Sequence, residues 1–198
     1  MMLSRLVVLI SGNGSNLQAI LDACTADEIP AKVVAVISNK ADAFGLTRAR
    51  NAGVDAVHFP KLENESRRDY DARLAFCVSS YLPDYVILAG WMRLLTSNFL
   101  SVFPNSVVNL HPALPGTFPG THAIERAYEA YRLGEIKHTG VMVHLVPDEG
   151  VDDGPVLAAQ EIAFQSGESL EQFEARVHVV EHDLLVATLK SLIVNRIS

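Results

Sequence analysis

The chain has 198 residues, of which 49% are hydrophobic and 20% are charged, a composition that predicts one domain or two tightly joined halves with a large core. The formal net charge of −7 argues against general nucleic-acid binding, because an acidic surface repels a phosphate backbone. The two cysteines, Cys24 and Cys77, are far apart in sequence, which favours reduced thiols in a cytoplasmic protein over a disulfide framework.

Short apolar, β-branched runs alternate with helical patterns along the chain. The predicted strands span residues 5–10, 32–38, 56–59, 85–89, 107–111, 140–146 and 156–164. The predicted helices span residues 16–26, 45–52, 66–81, 97–102, 121–133 and 169–194. Strands that are apolar on both faces suit a covered parallel sheet, and their alternation with helices implies right-handed βαβ units. We therefore predict an α/β fold with a Rossmann-like, mostly parallel twisted sheet, helices on both faces and an antiparallel pair formed by the last two strands.

The first predicted strand leads into a glycine-containing loop. Its residues 6–11 are too few to span a membrane, so we expect a buried strand and no membrane association. The loop consists of Gly12, Asn13, Gly14, Ser15 and Asn16. A loop of this kind at a helix N-terminus presents free N–H groups to an anion, and without a full GxGxxG or GxxxxGKS pattern a single phosphate monoester fits best. A simple capped strand–helix turn would use the same residues, so both interpretations stay open.

A second turn follows the strand at 85–89. Gly90 permits the turn, and Trp91, Met92, Leu94 and Leu95 are either the wall of an apolar pocket or ordinary packing beneath a loop. Because ligands of open α/β sheets bind outside the carboxyl ends of the strands, we expect this turn and the glycine loop to face the same region.

Two short sequence segments contain the side chains that attack of an amine on a carbonyl carbon requires. Strand alternation puts Asn109 and His111 on one face, at a strand end terminated by Pro112. An acidic loop at residues 148–155 lies about forty residues downstream. An amide can donate to an oxyanion, an imidazole can move a proton, and a carboxylate can orient the imidazole.

The remaining candidates have structural alternatives. His122 is expected in the first turn of a helix, where a structural role is more common than a catalytic one, and we expect it to support the catalytic side chains from behind. His144 is either a hydrogen-bonded strand histidine or a residue that supports the catalytic side chains from behind. His178, Glu181 and His182 share a helical stretch whose spacing is typical of a solvated face, and no cluster has convincing metal-ligand spacing, so we expect no metal.

Several motifs in one chain resemble the glycinamide ribonucleotide formyltransferase family, the folate-dependent enzymes of purine synthesis. They lie at residues 7–20, 38–46, 88–95, 109–114, 118–123 and 143–156. The resemblance runs from Leu6 to about Leu189 and implies a single formyltransferase domain over residues 1–198. Residues 1–105 would form its phosphate- and nucleotide-binding half, and residues 106–198 its catalytic and folate-binding half.

The resemblance also implies residue roles. Asn109, His111 and Asp152 look like the family's catalytic trio, with Asp152 aligned instead of Asp153 because it directly follows Val151. The glycine loop looks like the phosphate site of the ribonucleotide, and Glu181 like the carboxylate that holds the ribose hydroxyls. The residues that look like the folate site are Arg67, Leu88, Met92, Arg93, Leu94, Leu95, Val146, Asp148 and Val151.

The implied reaction is direct formyl transfer from 10-formyltetrahydrofolate to the amine of 5'-phosphoribosylglycinamide, through a tetrahedral intermediate and without a metal. The expected partners are small-molecule substrates, and the expected state is a monomer or homodimer. The chain departs from the family after Pro112, where residues 113–117 replace a more usual Ser-Leu-Leu-Pro, and at His178, which replaces a phosphate-binding Lys or Gln.

Rival functions are open on the same scaffold. Formyltetrahydrofolate hydrolases and methionyl-tRNA formyltransferases share the Asn-His-Asp arrangement, but each usually carries an added domain that we do not expect in this chain. A folate- or nucleotide-binding module without catalysis is a further alternative, against which the intact trio argues.

Overall fold

The computed structural model describes residues 3–197, in which one seven-stranded sheet is flanked by six helices. The strands are β1 (Ser4–Ile10), β2 (Ala31–Ser38), β3 (Asp55–His58), β4 (Tyr85–Leu88), β5 (Val107–His111), β6 (His138–Leu145) and β7 (Val156–Ala163). The helices are α1 (Ser15–Thr25), α2 (Phe44–Asn51), α3 (Arg67–Ser79), α4 (Ser97–Leu100), α5 (Ala123–Arg132) and α6 (Leu170–Ile197). Every predicted helix and strand is confirmed, with small differences at the ends.

The strand order is β3-β2-β1-β4-β5-β6-β7. The pairs from β3 to β5 are parallel, whereas β6 is antiparallel to both β5 and β7. The predicted Rossmann-like sheet and its antiparallel C-terminal pair are therefore confirmed. The prediction of a right-handed βαβ unit was wrong for β5, α5 and β6. Because β6 is antiparallel to β5, the connection through α5 begins and ends at the same end of the two strands.

Two apolar cores cover the two faces of the sheet. On one face Val108 and Leu110 pack with side chains from α1 and α6, and on the other face Val107 and Leu88 pack with α3 and α4. Fully burying an aliphatic side chain stabilises the fold by about 1.5–3 kcal/mol. This alternation leaves Asn109 on the second face, between Leu88 of β4 and His144 of β6 in register.

Helix α6 begins with a reciprocal cap. The Ser169 hydroxyl accepts from the Gln172 N–H at 3.3 Å, and the Gln172 side chain accepts from the Ser169 N–H at 2.8 Å. This capping box satisfies two N–H groups that a helix start otherwise leaves without partners. It fixes the start of the helix that carries His178 and Glu181.

None of the helices in the described part of the chain combines the length and the apolar character that crossing a membrane requires.

Candidate active site

Two cavities adjoin each other at the carboxyl ends of β1, β4 and β5. The first, of about 220 Å³, is lined by Asn109, His111 and Asp152 and is called the trio cavity below. The second, of about 920 Å³, is lined by residues 11–16 and is called the loop cavity. Their shared walls include Gly90, Met92, Leu110, Pro112, Thr121, His122 and Ala123. A ligand bound in one cavity can therefore reach a ligand in the other.

Asp152 lies between the other two members of the trio. The Asn109 Nδ2 group donates to Asp152 Oδ1 at 3.0 Å, and His111 Nδ1 lies 3.3 Å from Asp152 Oδ2. The Gly120 N–H also donates to Oδ2, at 2.8 Å. Asp152 has a φ of 53°, a left-handed conformation that is uncommon outside glycine. These contacts from β5 and from the loop before α5 hold the carboxylate in this backbone conformation.

Both ring nitrogens of His111 face acceptors. Nδ1 faces Asp152, and Nε2 donates to the Phe118 carbonyl at 3.1 Å. Burial lowers the pKa of His111, although the Asp152 charge opposes this change. Burial alone would raise the pKa of Asp152, but hydrogen bonding to its carboxylate, including that from the Gly120 N–H, outweighs burial and lowers that pKa. The two shifts favour a neutral imidazole beside an ionised carboxylate.

His144 lies behind the trio. Its Nδ1 donates to the Leu145 carbonyl at 2.8 Å, which leaves Nε2 to accept from Asn109 Nδ2 at 3.1 Å. The ring is only 2% exposed. Both hydrogens of the Asn109 amide are thus engaged, one with His144 and one with Asp152. Of the two alternatives for His144, the geometry favours support of the trio from behind.

His122 occupies a different position from the predicted one. It is the N-cap of α5, with φ 57° and ψ 33°, and not a residue of the first turn. Its side chain is 76% exposed and pairs with Glu125 at 3.0 Å. The prediction that it supports the trio from behind was wrong, because the left-handed cap turns the ring towards the open edge that both cavities share.

The apolar wall predicted from residues 88–95 lines the trio cavity. Leu88 and Leu95 are buried, whereas Met92 and Leu94 are exposed to the opening. Val146, Asp148 and Val151 from the acidic loop complete the lining.

Two arginines stand beside this wall. The Arg93 guanidinium stacks over the Tyr70 ring at 4.5 Å, and Arg93 itself lines the cavity. Arg67 does not line the cavity, but its Nε donates to the Leu94 carbonyl at 3.0 Å and its guanidinium is 4.0 Å from the Glu149 carboxylate. Glu149 in turn accepts from the N–H of Ser97 at 2.9 Å. Glu149 therefore joins the acidic loop to the first residues of α3 and α4, a contact that was not predicted from the sequence.

The glycine loop ends at the start of α1. Gly14 is the N-cap, and the Gln18 N–H is the one that bonds back to the Gly14 carbonyl. The preceding N–H groups of the first turn have no helical acceptor, and Ser15 and Asn16 line the loop cavity. Such an end of a helix suits an anion. The anion-binding interpretation is favoured over the simple capped turn, since no side chain caps this helix.

Helix α6 contributes His178 and Glu181 to the same cavity. His178 Nδ1 lies 2.6 Å from Glu181 Oε2, and this hydrogen bond raises the pKa of His178. Glu181 is only 5% exposed, so the interpretation of this stretch as a solvated face was wrong for Glu181, whereas His178 is exposed. Lys40 also lines the cavity and was not predicted from the sequence. Its position two residues after β2, at the carboxyl end of that strand, was the available signal.

Gly14 is required for the approach of α2 to the loop. It has a φ of 77°, and a Cβ there would lie 2.8 Å from the Gly45 Cα. An alanine in the left-handed region costs roughly 1–2 kcal/mol. We expect Gly14→Ala to lower the free energy of unfolding by more than this, because the backbones at Gly14 and Gly45 must also separate. Gly53→Ala is the matched control, since Gly53 has a φ of 70° and open space around it. Equal losses of the two variants in chemical denaturation would contradict this explanation.

Within residues 3–197, no group of three or more His, Cys, Asp and Glu side chains is arranged to hold a metal ion.

Comparisons with known proteins agree with this geometry. The formyl transferase family model matches residues 4–189. The phosphoribosylglycinamide formyltransferase of Dictyostelium discoideum is 41% identical over 201 residues, which cover 95% of this chain and 97% of the relative. The protein of the same name from Escherichia coli strain K12 is 45% identical over 178 residues, which cover 90% and 82% of the two chains.

The fold comparison gives the same family. The crystal structure of glycinamide ribonucleotide transformylase 1 from Symbiobacterium toebii superposes with a TM-score of 0.89 at 42% identity, covering 96% of this chain and 87% of the other. The length, the sheet and the sequence all agree with these enzymes. The chain therefore belongs to the phosphoribosylglycinamide formyltransferase family of transferases.

Proposed function

We propose that the protein transfers the formyl group of 10-formyltetrahydrofolate to the amine of 5'-phosphoribosylglycinamide, in de novo purine biosynthesis. The observation that carries this proposal is the junction of the two cavities. The start of α1, which no side chain caps, lines one cavity and the trio lines the other, and the two cavities share a wall. A phosphorylated amine held in the loop cavity would present its amino group to a formyl donor in the trio cavity. Much of the acceleration would come from this orientation.

The proposed chemistry is addition followed by elimination. The amine nitrogen attacks the formyl carbon, a C–N bond forms, and the carbonyl electron pair moves to the oxygen. The Asn109 amide stabilises this oxyanion by sharing the hydrogen that it gives to Asp152 in the free protein. Catalytic hydrogen bonds are often rearranged in this way when the substrate enters.

Proton transfer completes the reaction. Neutral His111 accepts the proton released by the attacking amine, directly or through water, and the imidazolium is stabilised by Asp152 at 3.3 Å. The proton then passes to N10 of the folate as the C–N10 bond breaks. The products are the formamide and tetrahydrofolate, and no covalent enzyme intermediate or metal is required.

The proposed binding roles follow the two cavities. Gly14, Ser15 and Asn16 hold the substrate phosphate together with His178, and Glu181 accepts from the ribose hydroxyls. The apolar wall that includes Leu88, Met92, Leu94 and Leu95 receives the folate ring, with Val146, Asp148 and Val151 covering it and Arg67 and Arg93 at its edge. Each cavity is lined by residues from both 1–105 and 106–198. The proposed division therefore describes where the glycine loop and the trio lie, but each ligand would contact both halves.

His178 makes phosphate binding depend on pH. Its pKa is raised by Glu181, so the ring is cationic below that pKa and loses its charge as the pH rises through it. We expect KM for the ribonucleotide to increase as the pH rises through this raised pKa. His178→Ala should raise KM about tenfold at neutral pH. This change corresponds to the lower end of the free-energy range for a hydrogen bond to a charged group, which we expect because the ring is half exposed.

His178→Lys is the matched variant, because a lysine stays charged well above pH 8. Its KM should remain low and flat where that of the wild-type protein rises. A wild-type KM as independent of pH as that of His178→Lys would remove His178 from phosphate binding.

One assay tests the proposal as a whole. The protein is mixed with 10-formyltetrahydrofolate, with and without 5'-phosphoribosylglycinamide, and the formation of tetrahydrofolate and of the formylated ribonucleotide is followed. Turnover that requires the ribonucleotide supports formyl transfer. Deformylation without it would indicate a hydrolase, and ligand binding without either reaction a non-catalytic binding module.

The remaining proposals concern the setting of the reaction. We propose that the enzyme acts in the cytoplasm on small-molecule substrates, as a monomer or homodimer, and without nucleic-acid or membrane partners. The acidic net charge of −7 supports the absence of a nucleic-acid partner. Sedimentation of the purified protein would distinguish the monomer from the homodimer.

A further inference from the structure

The loop before α5 has an unusual backbone. Positive φ angles recur at Gly116, Phe118, Gly120 and His122, so every second residue is in the left-handed region. For Phe118 and His122 this conformation costs roughly 1–2 kcal/mol each, because a Cβ crowds the following carbonyl. Such strain persists only where surrounding contacts impose it. The loop therefore needs a partner that holds its backbone.

The same loop holds two members of the trio through backbone atoms. The Phe118 carbonyl accepts from His111 Nε2 at 3.1 Å. The Gly120 N–H donates to Asp152 Oδ2 at 2.8 Å. A shift of this loop would therefore move the imidazole and the carboxylate relative to each other.

Arg126 on α5 is the side chain that fixes the loop. Its Nη2 donates to the Phe118 carbonyl at 2.8 Å and to the Pro119 carbonyl at 2.7 Å, and its guanidinium lies 5.9 Å from the Phe118 ring centroid. A planar guanidinium fixes two neighbouring acceptors in a way that a single flexible cation does not. Arg126 thus bonds the same carbonyl oxygen that accepts from His111.

We propose that Arg126 is a positioning residue for formyl transfer, acting through the Phe118 and Pro119 carbonyls on His111 and Asp152. This inference rests on the proposed function, because it takes the trio to carry the reaction. The charged and titratable groups that face His111 come from three elements: Asp152 from the loop after β6, His144 from β6 itself and Arg126 from α5. The Arg126 charge also disfavours a proton on His111 in the free protein, which adds to the effect of burial.

The test compares Arg126→Met with Arg132→Met. Both variants lose one positive charge from α5, but Arg132 is exposed in the last turn of the helix. We expect Arg126→Met to lower kcat on the order of 10²-fold, as expected for a displacement of about 1 Å in the catalytic groups, with both KM values near those of the wild type. Arg132→Met should leave kcat unchanged. Arg126→Lys should give an intermediate kcat, and it provides a second comparison if the methionine variant does not fold.

A readout independent of turnover is the ring N–H of His111 in ¹⁵N NMR. The Phe118 carbonyl should protect this proton from exchange in the wild type, and the protection should be lost in Arg126→Met and partly kept in Arg126→Lys. Wild-type kcat in Arg126→Met, a change confined to KM, or a loss of kcat with the ring proton still protected would each overturn the proposal. If the wild-type protein transfers no formyl group, the proposed function fails, whereas the ring proton still reports whether Arg126 positions His111.

Discussion

Asp152→Asn is expected to lower kcat about 10⁴-fold, the loss seen when the carboxylate that orients a catalytic histidine becomes an amide. The carboxylate accepts from Asn109 and from the Gly120 N–H, and it faces His111. An amide keeps the shape but brings an NH₂ group where an acceptor is needed, and it removes the charge that stabilises the imidazolium. Single-turnover formyl transfer with both substrates saturating is the measurement.

Asp153→Asn is the matched control for this variant. Asp153 is exposed, and its carboxylate lies against Gly150, where an added Cβ would be 2.2 Å from Oδ1. We expect Asp153→Asn to retain wild-type kcat. For Asp152→Asn the acid limb of the rate profile should also change, because the pKa of His111 would no longer be raised by a neighbouring charge. An unchanged height and shape of the profile would exclude Asp152 from proton transfer.

Asn109→Ala is expected to lose about 2.7–4 kcal/mol of transition-state stabilisation, a decrease in kcat of about 10²–10³-fold, if the amide is a single oxyanion donor. The truncation also leaves His144 Nε2 and Asp152 Oδ1 without the Asn109 hydrogens. Kinetics with saturating substrates should therefore be accompanied by the free energy of unfolding. A large loss of stability with modest loss of kcat would indicate a structural role instead.

Asn98→Ala is the control for the truncation itself, since Asn98 is an exposed residue of α4 with one long hydrogen bond of 3.4 Å. We expect it to leave both kcat and stability near the wild-type values. Turnover of Asn109→Ala close to that of Asn98→Ala would remove Asn109 from the mechanism.

The elements of the fold were predictable from the sequence because burial on both faces produces an unmistakable pattern. Runs such as residues 7–10 in β1 and 86–88 in β4 have no polar position, which is typical of central parallel strands. The direction of β6 was not predictable in the same way. A strand that follows a helix has the same local pattern whether it runs parallel or antiparallel, and only the pairing formed in the folded sheet decides between them.

The candidate site was also predictable from the sequence only in part. Strand alternation was enough to place Asn109 and His111 side by side, whereas Asp152 was selected over Asp153 by family resemblance alone. Contacts through backbone atoms, such as those of Phe118 and Gly120, leave no signal in residue identity. The engagement of both Asn109 hydrogens was equally hidden, because it depends on which nitrogen of His144 carries the proton.

The reversal of β6 has a consequence for folding. Asn109 and Asp152 are 43 residues apart in sequence, and the chain between them must complete the loop, α5, β6 and the acidic turn before the two side chains meet. Closing so long a segment costs chain entropy, and the contacts that offset this cost form only when these elements dock together. Partly folded chains that contain the N-terminal parallel strands would lack the trio, so enzymatic activity would appear only in the last step of refolding and would measure the fraction of molecules that have completed the sheet.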